Sequence, residues 1–172
     1  MNRRHVALFL AGYVSLLILT PIRQLISYPI PFPDVVLLVV IYLALAVKGS
    51  PSAGVAVAVA LGYMADLFSG APKGVYSLSL GVCYFAVRGL SARLYFRGKL
   101  SQAIVALLVS VVTALMQIGL VALLGPYSFW TLLTAALATA VATAIVAPPV
   151  FWILIRLDRR VAPEIVLEGL AR

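Results

Sequence analysis

Six apolar stretches, separated by short gaps that hold nearly all the charge, constrain the fold of this chain more than any other feature. They lie near 6–26, 34–47, 53–68, 75–90, 103–124 and 130–155. A run approaching about 20 apolar residues suits a helix crossing the roughly 30 Å hydrocarbon core of a bilayer. Composition agrees, with 64% of residues apolar and 10% charged, against about 45–50% and about 25% in soluble domains. The 172 residues leave no room for a separate soluble domain. The expectation is a single all-α integral membrane domain, residues 1–172, with six transmembrane helices.

The second and third stretches are short. A helix of about 14 residues rises only about 21 Å, so either residues around Ile30 to Pro33 extend it irregularly or the bundle is thin there. Proline and glycine punctuate the gaps, at Pro29, Pro31 and Pro33, Gly49-Ser50-Pro51, Gly70-Ala71-Pro72 and Gly125-Pro126. The start, Met1-Asn2-Arg3-Arg4-His5 before an apolar run, imitates a signal peptide. Thr20-Pro21-Ile22-Arg23 stands where a small-x-small cleavage site would be, so an uncleaved first span is expected. Residues 54–61, GVAVAVAL, alternate with period 2 as a strand would. Neither alternate face is polar, as a membrane barrel requires, and helix is preferred.

Charge sets the orientation. With the N-terminus inside and six crossings, every one of the 13 Lys and Arg residues except Arg23 and Lys73 falls on the inner side, as the positive-inside rule demands. Both ends are then cytoplasmic. The net charge of +8 is explained by this placement, which excludes nucleic acid as a partner and leaves membrane lipids. Arg88, Arg93, Arg97 and Lys99 form a compact basic loop expected to meet anionic lipid headgroups. Tyr127, Trp130 and Trp152 sit where aromatic residues anchor a helix at the membrane interface. Cys83 is the single cysteine, so no intrachain disulfide forms.

Within the third stretch, Gly54, Ala58, Gly62 and Asp66 recur every fourth residue. On a helix they make one stripe of the small-xxx-small kind that admits a close neighbour, and this span is expected to be central. Asp66 falls at its outer, C-terminal end, where the helix dipole disfavours a carboxylate. It needs a partner: Lys73, Arg23, the N–H groups of the Ser69-Gly70-Ala71 turn, a ligand or another protein. Asp34 follows Pro33 at a helix start and is expected to cap it. Asp34, Asp66, Arg23 and Lys73 share one side and read as a neutralised polar cluster. Ser110, Thr113 and Gln117 give the fifth span a polar edge, and Thr131, Ala135, Thr139 and Thr143 give the sixth a small, hydroxyl-bearing one. Such edges serve as interhelical hydrogen-bond glue or line a cavity.

Catalysis finds no support. Intramembrane aspartyl proteases carry Gly-x-Gly-Asp, whereas Tyr63-Met64-Ala65-Asp66 stands here. The only histidine, His5, lies in the N-terminal tail, remote from any serine and aspartate set. No cluster of His, Cys and carboxylates offers a metal site. No catalytic residue, metal or cofactor is expected.

Phe32-Pro33-Asp34 opening one apolar helix, and Gly62-Tyr63-Met64-Ala65-Asp66-Leu67-Phe68-Ser69-Gly70-Ala71-Pro72-Lys73-Gly74 ending the next, resemble the MreD family of rod-shape-determining membrane proteins. Length, basic termini and number of spans extend the resemblance over nearly the whole chain. Its motif positions here are Pro33, Asp34, Gly62, Asp66, Gly70, Pro72 and Gly74. The resemblance implies a bacterial inner-membrane component of the cell-elongation complex that builds side-wall peptidoglycan. It implies binding to the bitopic protein MreC and, through it, a link between MreB filaments, RodA and a penicillin-binding transpeptidase. It further implies a fold similar to the substrate-capture component of energy-coupling-factor vitamin transporters. Capture of a small molecule by such a bundle is the rival expectation.

Overall fold

Residues 35–46, VVLLVVIYLALA, offer one tyrosine hydroxyl and otherwise only hydrocarbon, and a helix apolar on every side is covered by protein or by lipid. In a computed structural model of the protein, describing residues 3–25, 31–46, 51–69, 73–90, 99–122 and 129–161, the cover is protein. The described residues form α1 (Arg3–Leu25), α2 (Val35–Ala46), α3 (Pro51–Ser69), α4 (Val75–Leu90), α5 (Lys99–Ala122) and α6 (Phe129–Val161). Helix α2 touches all the others, which close a ring around it in the order α1, α3, α4, α5, α6 and back to α1. Leu38, Val40, Ile41, Leu43 and Ala44 are wholly buried in its middle.

The third span is therefore not the centre: α3 lies in the ring, between α1 and α4. Its small residues make the seam with α4. A side chain at Gly54 would run into the Tyr84 ring, and a Cβ on Gly62 would stand 2.5 Å from the Ser77 Cα. A small stripe marks the close approach of one neighbour, not the centre of the bundle.

Four helices, α1, α3, α5 and α6, are long and apolar enough to cross a membrane, and α2 and α4 are shorter. The 12 residues of α2 rise only about 18 Å. The two short helices run parallel, held at both ends: the Tyr76 hydroxyl reaches Asp34 where they begin, and Arg88 donates to the Ala44 carbonyl at 3.1 Å where they end. Longer helices around a short central one leave space above its start. There a cavity of about 710 Å³ opens, lined from all six helices.

The opposite end is closed by a buried ion pair. The Arg4 guanidinium donates to both oxygens of Asp158, and the Tyr42 hydroxyl adds a bond to Asp158 at 3.1 Å, tying α1, α6 and α2 together. His5 is not in a loose tail: α1 begins at Arg3, and His5 is buried in its first turn. Trp130 and Trp152 are exposed, as interfacial anchors are, and the Arg156 guanidinium lies 5.5 Å from the Trp152 ring centre.

Candidate functional site

Asp34 caps α2. Its carboxylate accepts the Leu37 N–H at 3.0 Å, supplying one of the donors that a helix start leaves unpaired. Its carbonyl accepts the Leu38 N–H at 3.3 Å. Its own N–H donates to the Thr143 hydroxyl oxygen of α6 at 2.9 Å, and that hydroxyl donates to the Thr139 carbonyl at 2.7 Å. The Tyr76 hydroxyl lies 2.5 and 2.6 Å from the two carboxylate oxygens. One residue thus fixes the start of α2 against both α4 and α6.

Asp66 also caps a helix, but not its own. From the last turns of α3 its carboxylate accepts the N–H groups of Gly74 at 2.9 Å, Tyr76 at 3.2 Å and Ser77 at 3.2 Å. These are the leading donors of α4. The negative end of α3 and the positive end of α4 face each other across a buried carboxylate, which resolves the dipole conflict foreseen for Asp66. Gly74 takes φ +96° to turn the chain into α4, a backbone conformation that a side chain would strain. The Ser77 hydroxyl then donates to the Val59 carbonyl at 3.0 Å, stitching the seam that Gly62 keeps thin.

Among the described residues, the donors to Asp66 are at residues 74 to 77. Gly70, Ala71 and Pro72 lie outside the described residues, as does the side chain of Arg23. Lys73 is exposed and makes no ion pair among the described residues. Among the described residues, backbone N–H groups at the start of α4 meet the Asp66 carboxylate, and no charged side chain does. Pro33 and Phe32 line the cavity beside Asp34.

Tyr76 is the residue that the sequence reading overlooked. Its N–H goes to Asp66 and its hydroxyl to Asp34, so it joins the two motif acids. The available signal was a tyrosine at a helix start in an apolar bundle, where a hydroxyl has to find an acceptor.

The polar edges of α5 and α6 divide between two roles. Thr143 is interhelical glue, whereas Ser110, Thr113, Gln117, Ala135 and Thr139 line the cavity. Thr113 donates to the Val109 carbonyl of its own helix at 2.8 Å. The Gln117 amide has no partner among the described residues. The side chain of Thr131 is outside the described residues.

In the basic loop, Arg88 is half-buried and turned to the C-terminal end of α2, where a cation satisfies a free carbonyl and favours the dipole. Arg93 and Arg97 lie outside the described residues, as does the side chain of Lys99, which opens α5.

A family model described as rod shape-determining protein MreD matches residues 2–159, nearly the whole chain. No curated protein and no solved structure matches it.

Proposed function

The chain belongs to the MreD family of rod shape-determining proteins, and from that membership we propose that it is a non-enzymatic, multi-pass scaffold of the bacterial inner membrane. In this reading it holds MreC and, through it, RodA, a penicillin-binding transpeptidase and MreB filaments in one cell-elongation complex. The family match carries the proposal. The site supports it because its acids hold helix ends: both oxygens of Asp66 accept backbone N–H groups. A carboxylate so occupied fixes shape rather than moving a proton.

Six crossings with both ends cytoplasmic put the starts of α2 and α4 on the extracytoplasmic side. The parallel course of these helices fits that orientation, because each enters from the same face. The Asp34–Tyr76–Asp66 link then stiffens the outer surface beside which the extracytoplasmic part of MreC docks. Co-expression with MreC from the same host, followed by detergent extraction and affinity purification of the chain, tests the reading. MreC is expected to be retained, and depletion of the chain is expected to round the cells. Extraction without MreC, together with rod shape that survives depletion, would refute the scaffold.

A further inference from the structure

We propose that the cavity above the start of α2 binds an uncharged amphipathic small molecule, one with an apolar body and a hydrogen-bonding group such as an amide, hydroxyl or carbonyl. The proposal does not depend on MreC binding.

Size and lining carry it. A volume of about 710 Å³ lies within the roughly 300–1,000 Å³ of small-molecule sites, which are mostly apolar with a few convergent polar groups. Leu16, Leu19, Phe32 and Val36 supply the apolar wall from α1 and α2. Ser110, Gln117 and Thr139 supply the polar one from α5 and α6. Ser110 and Gln117, seven residues apart, stand two turns from each other on one face of α5.

Charge selects the ligand class. Asp34 and Asp66 both line the cavity, and two carboxylates repel a third negative charge at close range, so an anion is disfavoured. A cation is not required, because the two carboxylates face the positive ends of α2 and α4 and accept their N–H groups. A bare hydrocarbon chain would leave the Gln117 amide unmet, and an unmet polar group opposes desolvation. A neutral molecule with one polar edge satisfies all three conditions.

The test uses two fluorescent probes that share an anilinonaphthalene body: uncharged N-phenyl-1-naphthylamine and the anionic 8-anilinonaphthalene-1-sulfonate. Each is titrated into the full chain in micelles, with empty micelles subtracted. The amine is expected to show a saturable component that Gln117→Leu weakens about fivefold, the scale of one hydrogen bond, and that Ala136→Trp abolishes by filling the cavity. The sulfonate is expected to show none. An amine signal that does not saturate, or that both variants leave unchanged, would overturn the proposal. Equal saturable binding of the sulfonate would overturn it too. If Ala136→Trp does not fold, as shown by free reaction of Cys83 with a maleimide, Gln117→Leu decides alone, and unchanged affinity there overturns the proposal.

Discussion

Replacing Asp66 by asparagine keeps the shape of the side chain and removes its charge, so it isolates the role of the carboxylate as the cap of α4. Two of the three bonds, from Gly74 and Ser77, go to Oδ2, and the Tyr76 N–H goes to Oδ1. An amide oxygen in the Oδ2 position keeps the first two as neutral bonds but turns an NH2 group towards the Tyr76 N–H. One charged hydrogen bond, worth about 1.5–3 kcal/mol, is lost outright and two are weakened. The favourable contact with the α4 dipole, about 0.3–1 kcal/mol, goes as well. Asp66→Asn is expected to destabilise the bundle by about 3–4 kcal/mol. The reporter is built in: Cys83, the single cysteine, is buried in α4, and a thiol-reactive coumarin maleimide becomes fluorescent only as that helix opens. Midpoints from heating, and free energies from titration with a denaturing detergent, give the difference. A loss under about 0.5 kcal/mol, the range of an ordinary surface change, would refute the cap.

Gly62→Ala sets a Cβ 2.5 Å from the Ser77 Cα, and the resulting overpacking is expected to cost about 1–3 kcal/mol by the same maleimide assay. Leu108→Ala, on the exposed face of α5, is expected to leave the midpoint unchanged. Tyr76→Phe removes the hydroxyl from Asp34 while sparing the N–H bond to Asp66, so a loss of about 1.5–3 kcal/mol is expected, below that of Asp66→Asn. Arg4→Ala strands Asp158 in a buried site and is expected to cost about 3–5 kcal/mol, whereas Arg4→Leu combined with Asp158→Leu is expected to recover most of it, as detergent titration of the two variants will show. Reporter fusions after Lys99 and at Arg172 are expected to read as cytoplasmic, and one near Pro126 as extracytoplasmic; a periplasmic C-terminus would overturn the orientation.

The parts of the fold legible in the sequence were those set by local chemistry. Apolar runs and Pro/Gly breaks located six helices, and Pro33 before Asp34 marked a capped start. The four-residue spacing of Gly54, Ala58 and Gly62 located a tight seam. What escaped was the identity of distant partners. Nothing near Asp66 in the chain shows that its carboxylate reaches past Lys73 to the N–H groups of residues 74 to 77, since that depends on how sharply the chain reverses at Gly74. Tyr76 belonged to the site through a hydroxyl directed at a residue 42 positions away. The Arg4–Asp158 pair spans 154 positions, and the positive-inside pattern alone accounts for a basic residue at Arg4. Small residues point to a close seam and not to the centre, and which helix sits in the middle depends on contacts between distant elements that hydropathy does not encode, since lipid covers an apolar helix as well as protein does.

The motif acids follow from helix length. A helix of 12 residues, about 18 Å long, cannot reach both headgroup layers across a hydrocarbon core of roughly 30 Å. An end that stays within the hydrocarbon leaves backbone groups unsatisfied, each at a cost of several kcal/mol. Neighbouring groups serve both ends: Asp34 and Thr143 at the start of α2, and the Arg88 guanidinium at its finish. The same reasoning applies to α4, the other short helix, whose leading donors are met by Asp66 from α3. A short centre thus requires buried caps, and the caps lock α2, α3, α4 and α6 into one arrangement around the space that the missing helical turns leave behind. The rigid surface suited to a scaffold and the cavity suited to a ligand have a common origin in the shortness of α2.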